Sequence, residues 1–228
     1  LFETVNEEQM VTLKEYKEKM PSEQKEIYYG SAHSKEAMKI SPQMDVVKKK
    51  GFDVLVLTDE VDEFMISMLN EYDKMKFKSI NQGDLDILDD EEKSVIKDLE
   101  TKNKSLLEKL KEVLNDRVSD VKLSTRLTDS PVCLVSGDGL SFEMEKVMNQ
   151  LPGEKNLKAE KILEINPKHE LFQAIDNLYQ TNDESIADYA EILYNQALLI
   201  EGLEIKDPVG FANKMVKVLI KAAKKESN

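Results

Sequence analysis

The sequence predicts a protein of mixed α and β structure in two parts. The first part is a small α/β unit of the βαβ type with three layers, and the second is an α+β domain that ends in a bundle of helices. Three observations lead to this prediction. Apolar runs alternate with segments of helical period over residues 26–80, an acidic segment follows, and the remainder passes from strand-like runs to long helical patterns. We place the two parts at residues 1–88 and 89–228.

The first part contains strand-like runs separated by helical segments. The strands are predicted at residues 26–30 (EIYYG), 53–57 (DVLVL) and 77–80 (FKSI). The continuous apolar run DVLVL is typical of a buried parallel strand. The helices are predicted at residues 34–40, 43–51 and 59–72. Ser34 and Asp59 are expected to cap the first and third of these helices, and Gly51 is expected to end the second.

The boundary falls in an acidic stretch, residues 81–92, where six acids stand beside one glycine. We interpret it as a solvated connection in which little is buried. One long helix is predicted after it, from Glu92 to Asn115. Strands are then predicted at residues 118–125, 130–136 and 161–166, with the second pairing beside the first. The last helices are predicted at residues 169–175, 185–202 and 208–223.

Composition excludes several classes of protein. The formal net charge of -13 and a pI near 4.8 argue against binding to nucleic acid, whose phosphates an acidic surface repels. Every apolar run is far shorter than the ~20 residues that span a bilayer, and residues 1–20 show no signal peptide. The single cysteine rules out a disulfide framework and favours a cytoplasmic location. Because the chain begins at Leu1 rather than Met, we expect it to be a piece of a longer protein.

No catalytic, cofactor or metal-binding motif is found. Residues 137–139 (GDG) lack the third glycine and the lysine of phosphate-binding loops, and no paired cysteines or histidines could hold zinc. Cys133 lies far in sequence from His33 and His169, so we interpret it as a buried structural residue.

A small acidic cluster leaves one enzymatic alternative open. The acids lie just after the strand at residues 53–57, where a flavodoxin-like α/β enzyme would bind its ligand. They also lie at a predicted helix N-terminus, where the helix dipole favours acids in any protein. The residues concerned are Asp59, Asp62 and Glu63.

A short helix after the two glycines carries an apolar stripe. At ~100° per residue its apolar side chains fall within one arc of about 100°, while Phe142 points the other way. The stripe consists of Leu140, Met144, Val147, Met148 and Leu151. It is either ordinary core or a surface that holds a partner. Methionine suits the second use, since its flexible thioether adapts to varied partners.

The last two helices carry a second apolar signal. In the first helix the apolar residues step by four and three, the spacing of a packing seam. The seam comprises Ile186, Ala190, Leu193, Ala197 and Ile200. The last helix presents Phe211, Met215, Val218, Leu219 and Ala222. These faces either pack on the chain's own sheet or pair with a second copy in a four-helix bundle.

Several sequence blocks resemble the heat shock protein 90 chaperones. KEYKEKMPSEQKEIYYGSAHSKEAMKISP and KKKGFDVLVLTDEVDEFMISMLNEYD resemble the end of that family's middle domain. LTDSPVCLVSGDG, LEINPKHEL, NQALLIEG and DPVGFANKM resemble its C-terminal domain. The blocks occur in family order and cover nearly the whole chain. The resemblance assigns residues 1–88 to the middle domain and residues 89–228 to the C-terminal dimerisation and client-contact domain.

The resemblance implies a cytoplasmic, ATP-driven homodimeric clamp that acts on unfolded or partly folded client proteins, with other chaperones as possible partners. The family's nucleotide pocket and its ATPase-assisting arginine lie earlier in the parent protein. We therefore expect no cofactor in this chain, with ATP and Mg²⁺ bound elsewhere in the parent, and no hydrolysis by this chain.

The resemblance also implies two client-binding surfaces and one dimer interface. The client surfaces are the apolar stripe and a pair on the middle domain, where Glu63 and Phe64 match the family's acid and tryptophan. Ser67 stands where some members have an asparagine. The dimer interface falls on the last two helices.

Overall fold

The computed structural model describes residues 1–59, 61–151 and 157–226. Within these residues the first unit has strands β1 (Glu3–Thr4), β2 (Ile27–Ser31), β3 (Leu55–Leu57), β4 (Glu71–Tyr72) and β5 (Met75–Ser79). Its helices are α1 (Leu13–Lys19), α2 (Lys35–Ile40), α3 (Asp45–Lys49) and α4 (Asp62–Leu69). The mixed α and β class predicted from the sequence is confirmed.

The first unit is built on a five-stranded sheet of order β1-β3-β2-β5-β4. β2 lies parallel to both β3 and β5, whereas β1 and β4 pair antiparallel at the two edges. Because successive side chains of a strand point to opposite faces, Leu55 and Leu57 join the cluster beneath α1 and α4. Val54 and Val56 join the cluster formed with α2 and α3. The parallel core follows from the apolar run that predicted it.

Three short elements of this unit were not predicted. β1 and β4 are two residues long, too short to show an alternating pattern. α1 does carry a readable signal, because Thr12 and Glu15 form a capping box at its N-terminus.

The predicted helix over residues 59–72 is wrong at both ends. α4 begins at Asp62, and Val61 rather than Asp59 occupies the N-cap position without a side-chain cap. The helix stops after Leu69 because Asn70 has a φ of 59°, and the chain then enters the β4–β5 hairpin. Ser34, by contrast, caps α2 as predicted, its hydroxyl accepting from the Ala37 backbone N–H.

The acidic stretch at residues 81–92 is not the solvated connection that its composition predicts. Leu85 is buried, and the Gly83 backbone N–H donates to the Ser136 carbonyl at 2.9 Å. The Arg126 guanidinium donates to the carbonyls of Ile80 and Gly83. The backbone of this stretch is therefore fixed to the second unit, which the acid count could not reveal.

The second unit contains helices α5 (Asp90–Lys102), α6 (Lys104–Leu114), α7 (Phe142–Gln150), α8 (Glu170–Gln180), α9 (Ile186–Ile200) and α10 (Pro208–Glu226). Its strands are β6 (Asp120–Leu123), β7 (Val132–Ser136) and β8 (Lys161–Ile165). The single long helix predicted from Glu92 to Asn115 is wrong. It is interrupted at Asn103, whose side-chain amide donates to the Leu99 carbonyl and closes α5.

The sheet of the second unit has the order β6-β8-β7. β8 lies in the middle, parallel to β6 and antiparallel to β7, so the predicted pairing of the first two strands is wrong. One face of this sheet packs against α6, α8 and α9 in the largest buried cluster. The buried side chains of Cys133 and Val135 lie on the other face, towards the first unit. No helix among the described residues is long and apolar enough to span a membrane.

Candidate functional site

The apolar stripe predicted after the two glycines has a graded exposure. Leu140 precedes the helix and packs on the core. Met144, Val147 and Met148 on α7 are half-buried, and Leu151 just beyond the helix is 54% exposed. Phe142 is buried on the opposite side, as predicted. The stripe is thus neither sealed core nor free surface.

Both ends of α7 are fixed by side-chain hydrogen bonds. Ser141 caps the N-terminus, its hydroxyl oxygen accepting from the Met144 backbone N–H at 3.0 Å. Near the C-terminus Asn149 exchanges two hydrogen bonds with the Leu157 backbone, and Glu145 accepts from the Ala159 N–H at 2.7 Å. Residues 152–156, part of the polar exit predicted after α7, lie outside the described residues.

Glu63, predicted as a client contact, is buried at 4% exposure. Its carboxylate accepts a hydrogen bond from the Ser141 hydroxyl at 2.8 Å. Burial raises the pKa of Glu63, an effect that the Ser141 bond opposes. The carboxylate therefore faces α7 rather than solvent.

The rest of α4 presents a different apolar surface from the one predicted. Phe64 is half-buried, and the exposed Ser67 donates its hydroxyl to the Phe64 carbonyl at 2.8 Å. The exposed apolar side chains of this helix and its N-cap are Val61, Met65, Met68 and Leu69. Met68 is the most exposed of the four, at 87%. The sequence reasoning missed them, although the five apolar residues among the eight of α4 were visible in the sequence.

A cleft of about 330 Å³ lies at the carboxyl ends of β2 and β3, between the two units. Its titratable lining residues are His33, Asp59, Glu63, Glu143, Lys146 and Glu201. Asp62, which the enzymatic alternative requires, is not among them. No group of three acidic, histidine or cysteine side chains in the described part of the chain could hold a metal ion.

Two acids of the cleft, Glu63 and Glu201, are engaged in hydrogen bonds within the protein. Glu201, which follows α9, accepts from the Gln43 amide at 2.6 Å and from the Asn81 amide at 3.3 Å. Burial raises the pKa of Glu201 to about 7. A concave site with convergent polar groups is the feature that the enzymatic alternative predicts. Here, however, the carboxylates of Glu63 and Glu201 serve to join the two units.

A buried arginine of the second unit, itself paired with Glu164, forms a second joint between the units. Arg126 is fully buried, and its Nε and a terminal nitrogen donate to the Glu164 carboxylate at 2.9 Å and 3.0 Å. Ser124 donates to the same carboxylate at 2.6 Å. The remaining guanidinium donors reach the backbone of Ile80 and Gly83. A bidentate pair in which all three guanidinium nitrogens donate is the arrangement in which burial of two charges is tolerated.

The seam predicted on α9 is largely internal. Four of its side chains are buried in the chain's own core: Ile186, Ala190, Leu193 and Ala197. Their predicted place in a dimer interface is corrected accordingly, since α9 turns this face to α6 and β7. Ile200, the fifth member, is exposed, as is its neighbour Leu199.

α10 presents the larger exposed apolar face. Of its predicted interface residues, Phe211 and Val218 are half-buried, and Met215, Leu219 and Ala222 are exposed. Leu219 is 64% exposed. Further exposed apolar residues on this helix were not predicted: Val209, Val216 and Ile220.

A row of ion pairs fastens α10 to α9. Lys214 meets Glu191 at 2.9 Å, Lys217 meets Asp188 at 2.6 Å, and Lys221 meets Asp183 at 2.9 Å. The lysines recur at steps of three and four and so share one side of the helix. The hairpin is therefore held through its polar side, which leaves apolar side chains uncovered.

These features define a class of protein: an α/β unit and an α+β unit joined by buried polar contacts, with apolar faces left on α4, α7 and α10. All of residues 1–228 match the family model described as Hsp90 protein, and the chain belongs to the Hsp90 family. The resemblance drawn from the sequence is confirmed.

Relatives support the same assignment. The chain is 44% identical over 220 residues to the chaperone protein HtpG of Bacillus subtilis (strain 168). It is 45% identical over 219 residues to the chaperone protein HtpG of Clostridium botulinum (strain 657 / Type Ba4). Each alignment covers 96% of this chain and 35% of the relative. The chain thus spans about a third of the length of these curated relatives.

Proposed function

We propose that this chain is the part of an Hsp90-type chaperone that joins two copies of the molecule and holds unfolded client protein. Residues 1–88 would form the end of a middle domain and residues 89–228 a C-terminal domain. The single observation that carries the proposal is the exposed apolar face of α10. An apolar face that stays exposed on a helix whose polar side is paired with its neighbour is what a helical dimer interface requires.

The total surface of the chain supports association. Its accessible area is 13290 Å², whereas a compact monomer of 26.1 kDa is expected to have about 10,600 Å². The difference is comparable to the area that each partner contributes to a large obligate interface. The proposed interface consists of the exposed side chains Leu199, Ile200, Met215, Leu219 and Ala222, with Val209, Val216 and Ile220 added.

Client binding is proposed for the stripe on α7 and for α4. Methionine on both helices supplies apolar area that adapts to different sequences. Unfolded segments would gain ~25 cal/mol for each Å² of apolar surface buried, so each contact is weak. Two arms of a dimer would raise the overall affinity through effective concentration.

The family resemblance also supports separate functions for different domains of the parent protein. We propose that ATP and Mg²⁺ bind in a domain outside this chain, that this chain does not hydrolyse ATP, and that the parent acts in the cytoplasm with other chaperones as further partners.

The client-binding part is tested by changing Met144 and Met148 together to Asp. Because both side chains are half-buried and not in the sealed core, we expect the fold to survive and the affinity for an unfolded polypeptide to fall at least about tenfold, as measured by fluorescence anisotropy. The matched control is M10D/I40D, which alters two exposed apolar residues on the other unit. Equal loss in both variants would contradict a site on α7.

A further inference from the structure

The two proposed client surfaces touch each other through one buried hydrogen bond. α4 belongs to the first unit and α7 to the second, and the Ser141 hydroxyl donates to the Glu63 carboxylate at 2.8 Å between them. Both side chains are buried, at 5% and 4% exposure. We name this contact the Glu63–Ser141 bridge.

The bridge acts on the end of α7 that carries the cap. The same Ser141 oxygen accepts from the Met144 N–H, so a single hydroxyl both starts the helix and attaches it to α4. Because the Glu63 carboxylate takes the hydroxyl proton of Ser141, a lone pair of the hydroxyl oxygen is left to accept from the Met144 N–H. The opposite end of α7 is held within its own unit, by Leu157 and Ala159.

We infer that Glu63 is a positioning residue whose hydrogen bond to Ser141 holds α7 against α4 and thereby sets how much of the α7 stripe a client can reach. The inference rests on the proposed function for its consequence, client access, but not for its structural content. It gives Glu63 a different role from the direct client contact predicted from the sequence.

Coupling between the two surfaces follows from this geometry. A client that draws Phe64 or Met65 outward would strain the turn of α4 that carries Glu63 and so loosen α7. Conversely, a client bound under α7 would have to break the bridge. Client binding at either surface therefore changes the affinity of the other surface, because both act on the Glu63–Ser141 bridge, which is either made or broken.

The test uses the 228-residue chain and four variants. Glu63→Leu keeps the bulk but removes the acceptor. Ser141→Asp keeps a good cap but sets a second carboxylate against Glu63. Glu63→Gln retains an acceptor, and the double variant E63Q/S141D restores a donor opposite an acceptor. The measurement is hydrogen exchange of the amides of residues 145–151, compared with the amides of β2 and β3.

We expect exchange in residues 145–151 to be about tenfold faster in E63L and S141D, with E63Q and the double variant within about twofold of the wild type. Unchanged exchange in both E63L and S141D would overturn the inference. Equally faster exchange in β2 and β3 would also overturn it, because the bridge would then only support the fold in general. Should E63L fail to fold, S141D and its rescue by E63Q carry the test.

A second readout separates this inference from the proposed function. Anisotropy with an unfolded polypeptide should show tighter binding by S141D than by wild type if the stripe is a client site. A tenfold change in amide exchange without any change in polypeptide affinity would support the role of the Glu63–Ser141 bridge in holding α7. It would contradict client binding on α7.

Discussion

At the residue scale, the buried guanidinium of Arg126 links the sheet of the second unit to the backbone of the first. Arg126 is one of 32 basic residues and lies in a run that predicts only the end of a strand. In the structure its guanidinium is buried and meets Glu164, 38 positions away, as well as the backbone of Ile80. Local patterns report periodicity and capping, and they carry no information about partners so distant in sequence. Ser34, whose partner is three residues away, was predicted correctly for the same reason.

Glu201 makes the stability of the chain depend on pH. Burial raises its pKa from an ordinary value of 4.5 to about 7, so the folded chain retains a proton that the unfolded chain releases. Between these two values the folded state binds more protons, and the free energy of unfolding must fall as the pH rises. Below pH 4.5 the carboxyl is protonated in both states, so it causes no loss of stability. Above pH 7 it is ionised in both states, and the full loss of stability is present.

We therefore expect Glu201→Gln to gain stability relative to wild type as the pH is raised from 4.5 to 7. The relative change in the unfolding equilibrium constant should be about tenfold or more, measured by urea denaturation at both pH values. Glu204→Gln changes an exposed carboxylate three residues further along the chain, so it serves as the control and should track the wild type. A constant difference between E201Q and wild type at both pH values would show that the carboxylate does not titrate in this range.

At the element scale, the sequence predicts which segments are helices better than which faces of them are covered. The apolar periodicity of α9 was read correctly as a packing pattern, whereas the packing predicted for α10 stays a prediction. The α9 seam nevertheless packs on α6 and β7, while α10 keeps its apolar face exposed. A stripe has the same spacing whether its partner is the chain's own sheet or a second copy, so periodicity could not choose between them. The half-buried stripe of α7 posed the same difficulty.

The proposed interface on α10 predicts a specific effect of charge. Met215→Glu together with Leu219→Glu places two charges on the exposed apolar face. Because buried unpaired charges are costly at an interface, we expect the dimer to weaken at least about a hundredfold while helical content by circular dichroism stays unchanged. The control Q173E/N177E adds the same charge at two exposed polar positions on α8, outside the proposed interface, and should leave the dimer intact. Equal dissociation in both variants would point to general repulsion in an already acidic chain.

At the scale of the whole molecule, the joint between the two units is the main feature that could not be predicted. The boundary segment was expected to be solvated because it is acidic, yet it lies between β5 and the second sheet and is held by Arg126. Asp45 adds three backbone contacts across the joint, accepting from the N–H groups of residues 128–130 at 3.1 Å each. Glu201 adds two further hydrogen bonds across the joint, accepting from the amides of Gln43 and Asn81. Fold class, most elements and the family could be predicted from local pattern and resemblance, whereas this joint depends on contacts between distant residues.

The account as a whole depends on association through the C-terminal hairpin. The most direct measurement is the solution mass by light scattering across a hundredfold dilution. We predict a dimer that persists at the lowest concentration, as expected for an obligate-type interface of ~2,000 Å² or more. A monomer at every concentration would contradict the proposal, because the exposed faces of Met215 and Leu219 would then have no second copy to cover them.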